Sequence, residues 1–328
     1  MQTKVFITVD IEVWPGSSDW RAANLGPDVK RYVYGATSRG EFGLRYQLDL
    51  LNSFGLKGVF FVESLFASEA PARLGEIVGL IRDRGHDVQL HVHPEWLQWM
   101  ANPPVREKMS RYLKDFTEDE QALLVERALA NLRACGAESV CAFRAGNYGA
   151  NLDTLKALKR NGIAYDSSYN FPYLSSQCFI DLPSPLLQPR ALEGIVEFPI
   201  TFFWDRPRHH RHLQLTACSF AEIRNVLLEA RRQGWFSVVL VSHSFELLRN
   251  RTHHAKPLLP DTICVNRFKQ VCRFLADHAD QFSTATFADF GLDGAAVPVL
   301  ASEENRILKS NMLRTAGRFG EQFVRRLQ

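Results

Sequence analysis

The stretch Val88-Gln-Leu-His-Val-His-Pro-Glu-Trp96 sets two imidazoles, His91 and His93, two positions apart, with Pro94, Glu95 and Trp96 directly behind them. Side chains at i and i+2 of a strand share a face, so both rings would address one point. Imidazole nitrogen beside carboxylate oxygen is a donor set suited to Zn²⁺ and related divalent ions. The oxygen is supplied by a second pair at the same spacing, Asp10 and Glu12 in Thr8-Val-Asp-Ile-Glu12. Arg144, Asp166 and His243 each follow a further apolar run. Polar groups gathered at strand ends are a desolvation burden unless they do something there. For single residues plainer readings stay open: Asp10 and Glu12 could pair with Arg144, and His243 could fill space.

Placing these groups together requires strands that end at a common level. Runs rich in β-branched and aromatic residues predict strands at Val5–Val13, Gly58–Val62, Asp87–Val92, Val140–Phe143, Ile163–Tyr165, Ile195–Phe203, Phe236–Ser242 and Ser283–Thr286. Between them, helical patterns cover Glu41–Phe54, Leu74–Arg84, Glu118–Ala134, Leu152–Asn161, Phe220–Gln233 and Arg267–His278. Several close on a glycine, and Thr117 with Glu120 forms a capping box. Repeated strand–helix alternation implies a parallel sheet covered by helices, as a barrel or an open sheet, with chemistry gathered at the strand C-terminal ends. No G-x-G-x-x-G follows the first strand, so a dinucleotide fold lacks support.

The chain has 328 residues, 46% hydrophobic and 23% charged, which suffices for a large core. Its formal charge of +3 leaves no footprint for a nucleic acid polymer. Six cysteines without a C-x-x-C pairing read as reduced structural thiols. The first strand begins too early for a signal peptide before it, so a cytoplasmic protein is expected. A basic tail from Lys309 carries Met312, Leu313, Phe319, Phe323 and Val324 at helical spacing. Such a tail either packs or forms an amphipathic helix on a partner or on the inner membrane face. The organisation expected is one domain over residues 1–295 and a helical extension over 296–328.

The ordered segments Thr8-Val-Asp-Ile-Glu12, Gly85-His-Asp-Val-Gln-Leu-His-Val-His-Pro94, Phe143-Arg-Ala-Gly-Asn-Tyr-Gly149, Tyr165-Asp-Ser-Ser168 and Leu240-Val-Ser-His243 resemble the five motifs of the polysaccharide deacetylases. This is the NodB-homology group, or carbohydrate esterase family 4, and the resemblance spans about residues 4 to 290. It implies an α/β fold, a distorted (β/α)7 barrel, and metal-dependent hydrolysis of an N-acyl group, acetyl above all, on an amino sugar. The substrate would be a surface polysaccharide or its lipid- or nucleotide-linked precursor. By position Asp10 matches the general base, Glu12, His91 and His93 the metal ligands, Arg144 the base-orienting arginine, Asp166 the acid that tunes His243, and His243 the general acid. One divalent ion is implied, Zn²⁺ foremost, with Co²⁺, Ni²⁺ or Fe²⁺ also admissible.

The sequence departs from the family pattern in three places. Ile11 separates two acids that are usually adjacent. The histidine pair is closer than usual, which leaves Glu95 as a reserve ligand should His93 not serve. Ala145 replaces the proline after the arginine of the third motif. Tyr148, Trp14 and Trp96 are the expected sugar-stacking residues, with Trp20, Trp99 and Trp204 beside the same loops. A backbone N–H near Asn147 or Tyr148 is the expected oxyanion donor. Arg208-His-His-Arg-His212 reads as a solvated basic turn, or as a phosphate or second-metal site, whereas His86 reads as structural and His253 and His254 as surface loop. The competing reading of the whole chain is a non-catalytic carbohydrate-binding or regulatory protein on the same barrel.

Overall fold

The computed structural model describes residues 2–106, 108–249, 256–291 and 306–327; His253 and His254 lie outside them. Seven parallel strands carry the fold: β1 (Thr3–Ile11), β2 (Val59–Glu63), β3 (Asp87–Val92), β4 (Ala142–Ala145), β5 (Tyr165–Asp166), β6 (Ile195–Glu197) and β7 (Ser237–His243). They follow one another in the order β7-β1-β2-β3-β4-β5-β6 and curl into a distorted barrel, with Arg190–Leu192 added antiparallel to β6. No ladder joins β6 to β7, and single bonds close the gap instead. The Leu213 N–H donates to Thr201 O (2.7 Å), Leu215 N–H to Val241 O (2.8 Å) and Val241 N–H to Leu213 O (2.9 Å). Lower down, the Gln188 side-chain amide accepts from Ser237 N–H (3.0 Å) and donates to Ser237 O (3.1 Å), taking the place of a strand.

Alternation along β1 explains how the barrel is filled. Val5, Ile7, Val9 and Ile11 join the outer core under the helices, while Phe6 lies inside with Phe61, Tyr165, Phe198 and Phe287. Those rings pack edge-on or tilted at centroid distances of 5.0–5.8 Å and plug the lower barrel. Thr8 and Asp10 continue the inner face above the plug. Register then sets polar groups at one level: Asp10 pairs with His243, Glu63 with His91, His91 with Arg144, and Asp166 with Glu197.

Expected and observed elements agree closely at Asp87–Val92 and Glu118–Ala134, where the Thr117 capping box is formed. Gly55, Gly85, Gly136, Gly162 and Gly234 all adopt the positive φ of a helix-ending residue (67°, 73°, 86°, 73° and 70°). Two expectations fail. Ile195–Phe203 is not one strand: β6 ends at Glu197 and the chain restarts as Phe202–Arg206. Nor is the His-rich stretch a loop, since His209–His212 pairs antiparallel with Phe202–Arg206 around a turn with Arg208 at φ 60°. His210 sits on the Trp204 ring at 3.7 Å, so its imidazole is used as an aromatic packing element.

Beyond the undescribed segment 292–305, Leu308–Lys309 adds a parallel strand to Phe203–Trp204, and the helix Met312–Leu327 follows. Arg318 is buried in this junction between Asp205 (2.8 Å) and Glu222 (3.1 Å). Removing one member of a buried ion cluster leaves the others desolvated and uncompensated. Arg318→Met should therefore cost about 3–5 kcal/mol in urea unfolding, against little effect from Arg314→Met.

Candidate metal centre

The end of β1, the end of β3 and the residue after β3 bring Glu12, His91 and His93 together. Glu12 Oε1 lies 3.4 Å from His91 Nε2 and 3.1 Å from His93 Nε2, and all three side chains are buried. Their ligand atoms fall within 4.8 Å of one another, the one such group of metal-type donors among the described residues. What makes them fit a cation is the far side of each ring. His91 Nδ1 lies 2.8 Å from the Arg144 carbonyl, and His93 Nδ1 lies 3.2 Å from Glu95 Oε2. An acceptor opposite Nδ1 fixes the proton there and turns the Nε2 lone pair toward Glu12. Two lone pairs and a carboxylate aimed at one point attract a positive ion.

The charge balance says the same. Burial opposes ionisation of Glu12, but the His93 charge and hydrogen bonds from both imidazoles outweigh it and hold the carboxylate well below its usual range. Burial likewise opposes a charged His93, yet Glu12 and Glu95 drive its pKa well above the ordinary value. The pocket thus draws a proton where a divalent ion would satisfy it better.

Beside this cluster stand two charged pairs. Arg144, wholly buried and lying 4.2 Å over the Phe61 ring, donates from Nη1 to Asp10 Oδ1 (2.7 Å) and to Thr8 Oγ1 (2.8 Å), and from Nε to Ser167 O (3.1 Å). With Oδ1 so occupied, Asp10 turns Oδ2 toward His243 Nε2 at 3.8 Å, and the same nitrogen lies 3.6 Å from Glu12 Oε1. On its other side His243 Nδ1 is held by Glu246 Oε1 at 2.9 Å. Burial disfavours the imidazolium, but the Glu246 hydrogen bond and the charges of Glu12, Glu246 and Asp10 outweigh it and raise the His243 pKa to about 9.

Asp166 is therefore not the partner of His243. It lies on β5, separated from β7 by β6 and the gap without a ladder, where its carboxyl accepts from Ser168 Oγ (2.6 Å) and faces Glu197. Both acids are fully buried and their pKa values are raised, burial being the largest cause and mutual repulsion adding to it for Glu197. Two carboxyls so placed titrate as a coupled pair. The partner role is filled from the turn after β7, where Glu246 follows three residues behind His243. Trp96 is also displaced from its expected part: its ring is wholly buried among Trp14, Trp20, Phe66 and Trp99 and supports the loop. Glu95 holds His93 from behind, a place in keeping with support and not ligation.

Trp14 and Tyr148 do face the site. A cavity of about 330 Å³ over Asp10, Glu12, His91 and His243 is lined also by Tyr148, Tyr173, Gln177 and Gln214. Against it, sharing Glu12, Asn147 and Phe245, lies a second cavity of about 730 Å³ walled by Trp14, Trp99, Tyr32 and Arg111. The Tyr148 hydroxyl is buried without a hydrogen-bond partner among the described residues. Burial and the nearby Asp10 charge push its pKa well up, so it stays a donor. Asn147 and Tyr148 both take positive φ (54° and 55°), unusual for non-glycine residues and typical of strained functional turns.

Further groups escaped the sequence reading. Glu63, one residue past an expected strand end, accepts from Leu65 N–H (2.6 Å) and from the His93 N–H, and so anchors the ligand loop. Gln214 bridges Glu246 to His212, whose Nε2 lies 2.7 Å from Gln214 Oε1. The position of Glu63 in line with His91 was the usable signal; Gln214 had none.

No protein-family model matches this sequence, and no curated protein does either. Among solved structures, a family 4 carbohydrate esterase from Streptomyces lividans, in complex with acetate, is similar at 11% identity, covering 87% of this chain and 92% of that one, with a TM-score of 0.42. A CE4 family pseudoenzyme from Bacillus anthracis aligns at 10% identity over 94% of this chain and 70% of its own, TM-score 0.40. A 4-alpha-glucanotransferase from Thermococcus litoralis aligns at 14% identity over 88% of this chain and 40% of its own, TM-score 0.52. At such identities the likeness is one of fold alone.

Two outcomes follow from the cluster. Purified protein should carry one divalent ion per chain by elemental analysis, lost in His91→Ala. A Cβ at Gly146 would stand 2.6 Å from His93 Cγ and Nδ1. Gly146→Ala should displace that ring and weaken metal affinity by roughly 10–100-fold.

Proposed function

We propose that this chain is a metal-dependent amidohydrolase of the polysaccharide deacetylase kind, which removes an N-acyl group, acetyl above all, from an amino sugar. The observation that supports it most is the meeting of a three-donor cluster with an Arg144-held carboxylate and a Glu246-held imidazole around one cavity. A divalent ion, Zn²⁺ foremost, held by Glu12, His91 and His93 supplies Lewis acidity at an amide carbonyl and lowers the pKa of a nearby water.

The chain's own residues do the rest. Asp10 Oδ2 accepts the proton of the attacking water while Arg144 keeps Oδ1 engaged and the carboxylate oriented. His243, whose imidazolium form Glu246 favours through Nδ1, donates from Nε2 to the departing nitrogen. The buried Tyr148 O–H is a spare donor for oxygen charge that develops in the cavity. Trp14 and Trp99 offer aromatic walls on which sugar rings stack. We place the reaction on the cytoplasmic side, on a lipid- or nucleotide-linked precursor of a surface glycan.

Acetate or free amine released from N-acetylated glycans and their precursors tests the reading. Binding of such glycans without release, in metal-loaded protein, would favour a non-catalytic carbohydrate-binding protein. Asp10→Asn and His243→Ala should each lower turnover by roughly 10²–10⁴-fold with metal content unchanged. Glu246 raises the His243 pKa, so Glu246→Gln should move the alkaline limb of kcat/KM to lower pH. An unmoved limb would remove Glu246 from its assigned part.

A further inference from the structure

The C-terminal helix is docked with its polar side inward. Thr315 Oγ1 donates to Asp205 O (2.7 Å), Arg318 bonds Asp205 and Glu222, Glu321 pairs with Arg267, and Arg325 Nε meets Asp261 Oδ2 at 2.7 Å. These contacts occupy positions 315, 318, 321 and 325, one face of the helix. The opposite face is apolar and open. Phe319 is 46% exposed, Phe323 63% and Val324 43%, with Ala316, Gly317 and Gly320 exposed beside them. A water-facing helix ordinarily shows the reverse pattern, so this face is built for something other than water. Four ion pairs keep it turned outward.

The charge on the hairpin and strand that carry the helix selects the occupant. Lys309 and Ser310, which run into the helix, line a hollow of about 490 Å³ together with Trp204, Arg206 and Arg208. Arg206, Arg208 and Lys309 are exposed, whereas the one acid lining the hollow, Asp205, is buried and already bound by Arg318, Arg211 and His209. The one acid on the helix, Glu321, keeps 38% of its side chain exposed but is paired with Arg267. Apolar side chains flanked by cations and an aromatic ring suit the interface of an anionic bilayer. A second copy is less well served: with a phenylalanine exposing about 200 Å² in full, the three large side chains offer roughly 300 Å², short of the ~800 Å² per partner of a stable dimer.

We infer that the helix Met312–Leu327 lies on an anionic lipid surface, with Phe319, Phe323 and Val324 entering the bilayer interface and Arg206, Arg208 and Lys309 facing its phosphates. Full-length protein should sediment with vesicles of phosphatidylcholine and phosphatidylglycerol (3:1) but not with phosphatidylcholine alone, and less at high salt. Phe323→Glu should abolish the binding while leaving the melting temperature unchanged, because that ring is 63% exposed. Arg206→Glu/Arg208→Glu should weaken it on anionic vesicles. Wild-type protein that stays in the supernatant with anionic vesicles would overturn the inference. So would a concentration-dependent dimer, seen by sedimentation velocity, that the Phe323→Glu change dissociates, since a second copy would then cover the face. Vesicle binding is read without substrate, so either result leaves the proposed reaction untouched.

Discussion

Two imidazole lone pairs converge on a buried carboxylate because each ring is held from behind, His91 by the Arg144 carbonyl and His93 by the Glu95 carboxylate. The rest of the site is arranged around that convergence. Arg144 contributes twice, its backbone oxygen orienting a ligand ring and its guanidinium orienting Asp10. Because both bonds come from one residue on β4, the ligand cluster and the proton acceptor cannot shift independently. Glu63 adds a tie from below by holding the backbone at His93.

The aromatic plug gives these polar groups their strength. Phe6, Phe61, Tyr165, Phe198 and Phe287 fill the lower barrel and keep water from reaching the layer above through the floor. In such surroundings a charge-assisted bond such as Arg144 to Asp10 acts at short range with little screening. The same dryness penalises any acid without a cation, and it raises the pKa of both Asp166 and Glu197, which face each other across the β5–β6 ladder.

The open segment of the barrel is where the proton donor is tuned. Between β6 and β7 no ladder forms, and the chain from Thr201 to Leu215 fills the space with the hairpin and single bonds. That irregular stretch brings Gln214 against Glu246, and Glu246 against His243. It also brings in the hairpin on which the C-terminal helix docks, so the exposed apolar face of that helix and the wall of the site share one supporting element.

Much of this was legible in the chain itself. Alternation and helix punctuation set a parallel sheet covered by helices, with the barrel implied by the motif resemblance, because they report local geometry: an i, i+2 pair shares a face wherever it occurs, and a glycine ending a helix takes positive φ whatever it packs against. For the same reason the sequence located Asp10, Glu12, His91, His93, Arg144 and His243, each at a strand end. Partnership across the barrel was not legible. Asp166 lies in the chain between Arg144 and His243, yet it sits on β5, with β6 and the unladdered gap between it and β7, whereas Glu246 reaches His243 through a turn that no periodicity marks. Trp96 looked like a sugar platform because a tryptophan after a ligand histidine carries no sign of whether its ring turns out or in; four aromatic neighbours decided that. The sequence determined which groups stand at the strand ends. Only the closure of the barrel and the packing above it decided which of them touch, since contact between distant residues is set by strand order and register, to which local patterning is blind.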